Sequence, residues 1–382
     1  QTPGQASNAP ASRMGNNCCG GGSDTCDFNG KDIQTVTDAH ISAASNKSVK
    51  VFDFSNNQLQ KLPESLGRLK NLTSLNVGMN KLQGLPEALG NLINLEELDA
   101  NDNKLAKLPE TIGKLVKLKK LLLFKNELAQ LPDGIGKLAS LEELNAFNNK
   151  LIKLPQSLGT LPSLTELNVA DNKLKTTPSL DGLTALTRLA LFANNLVMLP
   201  TMKNLVACEK MELYRNQLDT LPDLGNLKNL QELMLTKNRL TALPNNINQF
   251  DQLESLEANR NLLTSIPDTI VELPNLTKLM LSENQLSTLP AKLYKLKLTT
   301  LDVSSNQLQE FPDGLEKLES LKNLLISNNK IESLPAWLLN AFPLLQRFQL
   351  DGNPIKDDQT QLERHKKLEE RFKNARFIGI AV

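Results

Sequence analysis

His40 and His365 are the only imidazoles in the 382-residue chain. A histidine working as general base needs a nucleophile or a reacting proton within hydrogen-bond reach. Neither one stands in an H-E-x-x-H pair or beside a recognisable nucleophile motif. Lysine follows glycine in "GKD" and "GKL", but the G-x-x-x-x-G-K-[ST] loop that cradles phosphate is missing. Carboxylates abound, yet an acid–base pair needs one carboxyl in a dry pocket. Here they recur at the surface positions of a repeating pattern. The chain reads as non-catalytic and calls for no cofactor and no metal.

The four cysteines are Cys18, Cys19, Cys26 and Cys208. No C-x-x-C pair or nearby histidine supports zinc. Three crowded cysteines and one distant one make no disulfide framework, and they read as thiols in a reducing compartment. Cys208 falls at a leucine position and reads as a small core residue. The stretch "MGNNCCGGGSDTC" partly matches the myristoylation rule M-G-x-x-x-[ST], with Cys19 in place of the hydroxyl residue. If Met14 is a start site, Gly15 takes the acyl chain and Cys18 or Cys19 a second one. One chain alone binds membrane only marginally, with K on the order of 10⁴ M⁻¹. The other reading is a flexible leader whose cysteines have no specific task. Residues 1–13 read as disorder or a tag remnant.

The formal net charge is +1, with Lys plus Arg at 43 and Asp plus Glu at 42. A general nucleic-acid binder needs a basic excess, so none is expected. No run of 18 apolar residues is long enough to span a bilayer, and the start shows no secretory n-region and h-region. Length alone suggests two or three domains, but an internal repeat escapes that count.

The repeat is L-x-x-L-x-L-x-x-N-x-L, then x-x-L-P and a stretch such as "ESLGRL". Its asparagine recurs at Asn57, Asn80, Asn103, Asn126, Asn149, Asn172, Asn194, Asn216, Asn238, Asn261, Asn284, Asn306, Asn329 and Asn353. The spacing is 23 five times, 22 three times, then 23, 23, 22, 23 and 24. The L-x-L pair gives a short strand with one buried face. Proline after the "LP" leucine opens a helical turn, and the glycine of "SLGRL" or "TIGKL" offers a positive φ where it ends. One unit cannot bury its leucines alone, so stacked units share a core beneath a parallel sheet. Each asparagine should satisfy backbone groups of its own and the neighbouring turn, since an unpaired amide costs about 1–3 kcal/mol.

Four segments follow. Residues 1–25 form the leader. Residues 26–48 form an N-terminal cap, in which Cys26, Phe28, Ile33 and Val36 stand in for leucines and Lys31 for the asparagine. Residues 49–355 hold fourteen repeats. Residues 356–382 form a C-terminal cap, with Leu362, Leu368 and Phe372 on one helical face and "RFIGIAV" packed on it.

The "LPxxLGxLxxLxxLxLxxNxL" repeat resembles the leucine-rich-repeat superfamily, in its intracellular Ras-suppressor form. The resemblance implies an α/β solenoid (horseshoe), with a parallel β-sheet on the concave face and short helical or 3-10 turns on the convex face. It also implies a protein-binding adaptor whose concave face grips another protein, with a small GTPase or a phosphatase as partner, in the cytoplasm or on the cytoplasmic side of a membrane.

With the asparagine as position 9, the outward positions are 3, 5, 7, 8 and 10. Position 7 places Phe124, Phe147, Phe192 and Tyr214 within five successive repeats, and position 5 adds Leu122, Ala190 and Met234. These residues predict an exposed apolar strip with about 5 Å between adjacent strands. Exposed apolar patches mark interaction sites, and aromatics anchor interfaces. The competing reading is a ladder of rings packing on one another. Acids such as Asp53, Glu97, Asp99 and Glu143 precede the bases Arg188, Lys210, Arg215, Lys237, Arg239 and Arg260, which predicts a charge-polarised partner. Cell-surface recognition and a structural part of an assembly are the alternatives. For the first of these, Asn46, Asn71 and Asn275 stand in N-x-[ST] sequons.

Overall fold

The structure is a computed structural model that describes residues 24–46, 48–225, 227–373 and 376–378. The chain divides into two compact units, Gln1–Asn149 and Lys150–Val382.

In unit 1 the described strands are β1 (Thr25–Asp27), β2 (Val51–Asp53), β3 (Ser74–Asn76), β4 (Glu97–Asp99), β5 (Lys120–Leu122) and β6 (Glu143–Asn145). They pair in chain order, all parallel, and the central leucines stay in register, as in Leu98 beside Leu121 beside Leu144. Each strand is three residues long. The helix α1 (Asp38–Asn46) follows β1. Cys26, Phe28, Ile33 and Val36 are all buried at this end. Phe28 stacks on Phe54 at 4.7 Å and meets Phe52 edge-on, so rings seal a core that the repeats leave open.

The 3-10 turns Glu64–Arg68, Glu87–Asn91, Glu110–Lys114 and Asp133–Lys137 return the chain. The proline stands just before each turn, in extended geometry (Pro63 at φ −77, ψ 152), and not as its first helical residue. The glycines differ from the sequence expectation. Gly67 and Gly113 do not adopt positive φ. A Cβ on Gly67 would sit 2.7 Å from Ala88 O, and one on Gly113 would sit 2.6 Å from Gly134 O. These glycines permit close approach of stacked turns. Positive φ falls at position 8 instead, at Asn56, Met79, Asp102, Lys125 and Asn148. For a non-glycine residue this conformation costs about 1–2 kcal/mol.

The next residue, the ladder asparagine, holds that bend. Asn126 Nδ2 donates to Ala100 O and Leu123 O, both at 3.0 Å, and its Oδ1 accepts from Leu105 N at 3.0 Å. One side chain thus bonds its own turn and the one before it.

Unit 2 continues the pattern with β7 (Glu166–Asn168), β8 (Arg188–Ala190), β9 (Lys210–Glu212), β10 (Glu232–Met234), β11 (Ser255–Glu257), β12 (Lys278–Met280), β13 (Thr300–Asp302), β14 (Asn323–Leu325), β15 (Arg347–Gln349) and β16 (Arg376–Ile378). These are parallel and pair in order. Between β7 and β10, where the repeat shortens to 22 residues, the described residues form no 3-10 turn. The asparagine bonds persist. Asn216 Nδ2 donates to Leu191 O and Leu213 O at 3.0 Å, and its Oδ1 accepts from Leu196 N at 3.1 Å.

The helix α2 (Gln359–Arg371) closes unit 2. Its buried residues are Gln361, His365 and Leu368, whereas Leu362 is exposed, against the sequence expectation. Polar bonds decide the rotation. Gln361 Oε1 accepts from Leu334 N at 2.7 Å, and Arg371 donates to Leu338 O at 2.9 Å. Residues 376–378 pair with β15 as a strand, and residues 379–382 lie outside the described residues. Among the described residues no helix is long and apolar enough to cross a membrane.

Candidate functional site

On unit 1, Phe124 and Phe147 are half-buried on the outward face of the sheet, above fully buried Leu121 and Leu123. Alternation along the strand forces this split. Leu122 is also half-buried, but its register neighbours are Asp99 and Asn145, so apolar surface does not run across strands at position 5. Asp99 Oδ1 accepts from Asn101 N at 3.0 Å, and Glu143 pairs with Lys120 at 3.0 Å. Both acids expected to meet a partner therefore already have bonds on their own surface.

On unit 2, Phe192 and Tyr214 are half-buried, and their rings stack at 4.4 Å with an interplanar angle of 7°. Ring spacing matches the distance between adjacent strands, about 4.8 Å, so position 7 in successive repeats stacks aromatics without distortion. Burial lifts the Tyr214 phenol above its ordinary value, and Glu212 pushes the same way.

Ala190, expected in the exposed strip, is fully buried. Its methyl lies between Asn168 and Glu212 in register, too short to reach past them. Met234 stays half-buried between Glu212 and Glu257.

Charge is less polarised than the sequence grouping implies. Arg188 Nη2 pairs with Glu212 Oε2 at 3.1 Å, Lys210 with Glu232 at 2.9 Å, and Lys278 with Glu257. Sequence reasoning missed Glu212, whose side chain is only 8% exposed. The available signal was an opposite charge about one repeat away, 24 residues on from Arg188. Three of the expected cations, Arg215, Lys237 and Arg239, have no acidic partner among the described residues, and the first two are neighbours at position 8. Arg215 and Lys237, with Arg260, line an open recess of about 550 Å³ beside Tyr214.

His40 lies outside this surface. Its Nδ1 accepts from Thr37 N at 3.0 Å, and burial lowers its pKa. Burial pushes the Cys208 thiol up to about 12. Gly15, Cys18 and Cys19 lie outside the described residues. Cys26 is disulfide-bonded, which differs from the expectation of a reduced thiol at that position.

Family models described as leucine rich repeat match residues 251–308 and 297–355, residues 47–91, and residues 94–115. Among solved structures, a leucine-rich-repeat protein of Leptospira interrogans is 32% identical, with a TM-score of 0.73, covering 92% of this chain and 94% of that one. The chain belongs to the leucine-rich-repeat family. YopM, a leucine-rich effector protein from Yersinia pestis, is 26% identical over 96% of this leucine-rich-repeat chain and 90% of its own, with a TM-score of 0.65. A plant peptide hormone receptor, RGFR1 in complex with RGF2, is 27% identical with a TM-score of 0.68 over 86% of this chain. The chain spans 59% of that receptor's length. No curated protein matches the chain by sequence.

Proposed function

We propose that this leucine-rich-repeat chain is a non-catalytic binding scaffold that docks a protein partner on the outward face of its sheet. One observation carries the reading. The stacked, half-buried Phe192–Tyr214 pair stands beside the ion pairs Arg188–Glu212 and Lys210–Glu232. Stacking explains why the two rings neighbour each other, but not why an aromatic pair faces water where polar residues would serve the fold. Aromatic anchors that combine apolar area with a polar tip are the groups interfaces favour.

A pull-down from the source cells, with wild type beside Phe192→Ser/Tyr214→Ser, tests it. The double variant should lose its specific partner while thermal unfolding shifts little, because an aromatic pair adds only about 0.5–1.5 kcal/mol beyond its buried area. Unchanged capture of the same partner sinks the reading.

Two settings for this scaffold differ in what supports them. A cytoplasmic signalling adaptor with a small GTPase or phosphatase partner, tethered through lipid on Gly15 with Cys18 or Cys19, rests on the resemblance of the repeats and the partial lipidation motif. Recognition at a cell surface is favoured by the disulfide at Cys26, because disulfides persist in oxidising compartments, and by the exposed sequon residues Asn71 and Asn275. The intact mass of the native protein separates them: added acyl chains support the first, added hexoses the second.

A further inference from the structure

The recess on unit 2 is built from positions 7 and 8 of successive repeats. Arg215, Lys237 and Arg260 occupy position 8 with φ of 57, 61 and 56. Strand pairing sets their backbones about 5 Å apart, so three like charges follow one another along an edge already bent into an unfavourable conformation. On neighbouring strands of this face several cations are met by acids, at Arg188–Glu212, Lys210–Glu232 and Lys278–Glu257. Here only Arg260 is, giving its Nε to Glu283 Oε1 at 2.8 Å, with both side chains about half exposed (57% and 49%). One more group has a donor to spare. Asn259 spends its Oδ1 on Ser282 N and Oγ, which leaves its Nδ2 as a donor.

We propose that this recess takes the acidic side chains of an extended peptide segment, two carboxylates binding between Arg215, Lys237 and Arg260. The inference rests on the docking reading above and specifies the partner's chemistry. Two unpaired cations and an amide donor are complementary to carboxylate oxygens. Alternate residues of an extended chain place their side chains about 7 Å apart on one face, within reach of cations one repeat apart. The recess borders Tyr214, so an apolar residue beside the acids would land on the aromatic pair. A net charge of +1 gives the chain no general pull on polyanions, and this favours local recognition of a short acidic peptide.

The test is fluorescence anisotropy of labelled hexaglutamate with the full chain at low salt, with hexalysine as control and inorganic phosphate as competitor. Hexaglutamate should bind and weaken with salt. Arg215→Ala/Lys237→Ala should weaken it by about tenfold or more, with unchanged thermal unfolding. Glu283→Gln should strengthen it several-fold by releasing Arg260, an effect that a purely structural role for these residues would not produce. Absence of binding, equal binding by the double variant, or full displacement by equimolar phosphate overturns the proposal. Should it fail while Phe192→Ser/Tyr214→Ser still abolishes partner capture, the acidic-ligand subsite is lost and the docking face stands.

Discussion

Unit 1 and the first repeats of unit 2 solve one problem with different return paths. In unit 1 each 23-residue repeat closes through a 3-10 turn, packed against its neighbour at a glycine. Between Asn172 and Asn238 the repeat is 22 residues, and the described return path has no such turn. Yet Asn126 and Asn216 make the same three backbone bonds at nearly the same lengths. The strand side is therefore fixed by the asparagine and the leucines, and the return side can lose a residue without disturbing it. What remains free to vary on the strand side is positions 3, 5, 7 and 8, where the aromatics and charges stand.

The largest effect expected is in the core. Leu121 in unit 1 and Leu189 in unit 2 are both fully buried. Leu121→Ala and Leu189→Ala should each destabilise their unit by about 2–5 kcal/mol in urea unfolding. If one unit tolerates the change, the two frameworks are not equivalent. Asn126→Ala and Asn216→Ala come next, at about 1–3 kcal/mol each, because a buried N–H and carbonyls lose their partner. A clearly smaller loss at Asn216 would show that the shorter return path relaxes to compensate.

The smallest effect distinguishes the ends. His40 meets Phe28 edge-on at 5.7 Å and accepts from Thr37 N, and its pKa is lowered by burial. The unfolded chain therefore takes up the proton at higher pH than the folded one does. Stability at this cap is present above the unfolded value, about 6.5, and falls as pH drops through it toward the folded value. The protection of α1 amides, taken relative to the intrinsic exchange rate at each pH, should fall between pH 7 and pH 5.5, and that fall should vanish in His40→Gln. A pH response that survives the substitution would place its origin elsewhere.

Some features were legible because they answer a requirement that every repeat shares. Leu98, Leu121 and Leu144 must alternate with polar residues to bury one face, and the ladder asparagine must bond the bend. Others were not. Gly67 and Gly113 look like residues chosen for positive φ, but what they avoid is a collision with the next turn, which a linear pattern does not show. Leu362 looks buried by helical spacing, but the bonds of Gln361 and Arg371 to unit 2 carbonyls and amides turn it outward. Ala190 shares position 5 with Leu122 and Met234, yet only its length, set against Asn168 and Glu212, decides that it stays covered.

The amino-acid sequence by itself determined the repeat, its parallel strands, its buried leucines and the outward place of Phe124, Phe147, Phe192 and Tyr214. Those follow from a period-two strand and a fixed polar anchor, both of which are local. Only the tertiary structure decided which charges are cancelled and which stand alone. Arg188 and Glu212 lie 24 residues apart and Glu257 and Lys278 lie 21 apart. Such pairs form only when neighbouring strands are set in register and the side chains are long enough to meet across it. Arg215 and Lys237 are left without an acid for the same reason.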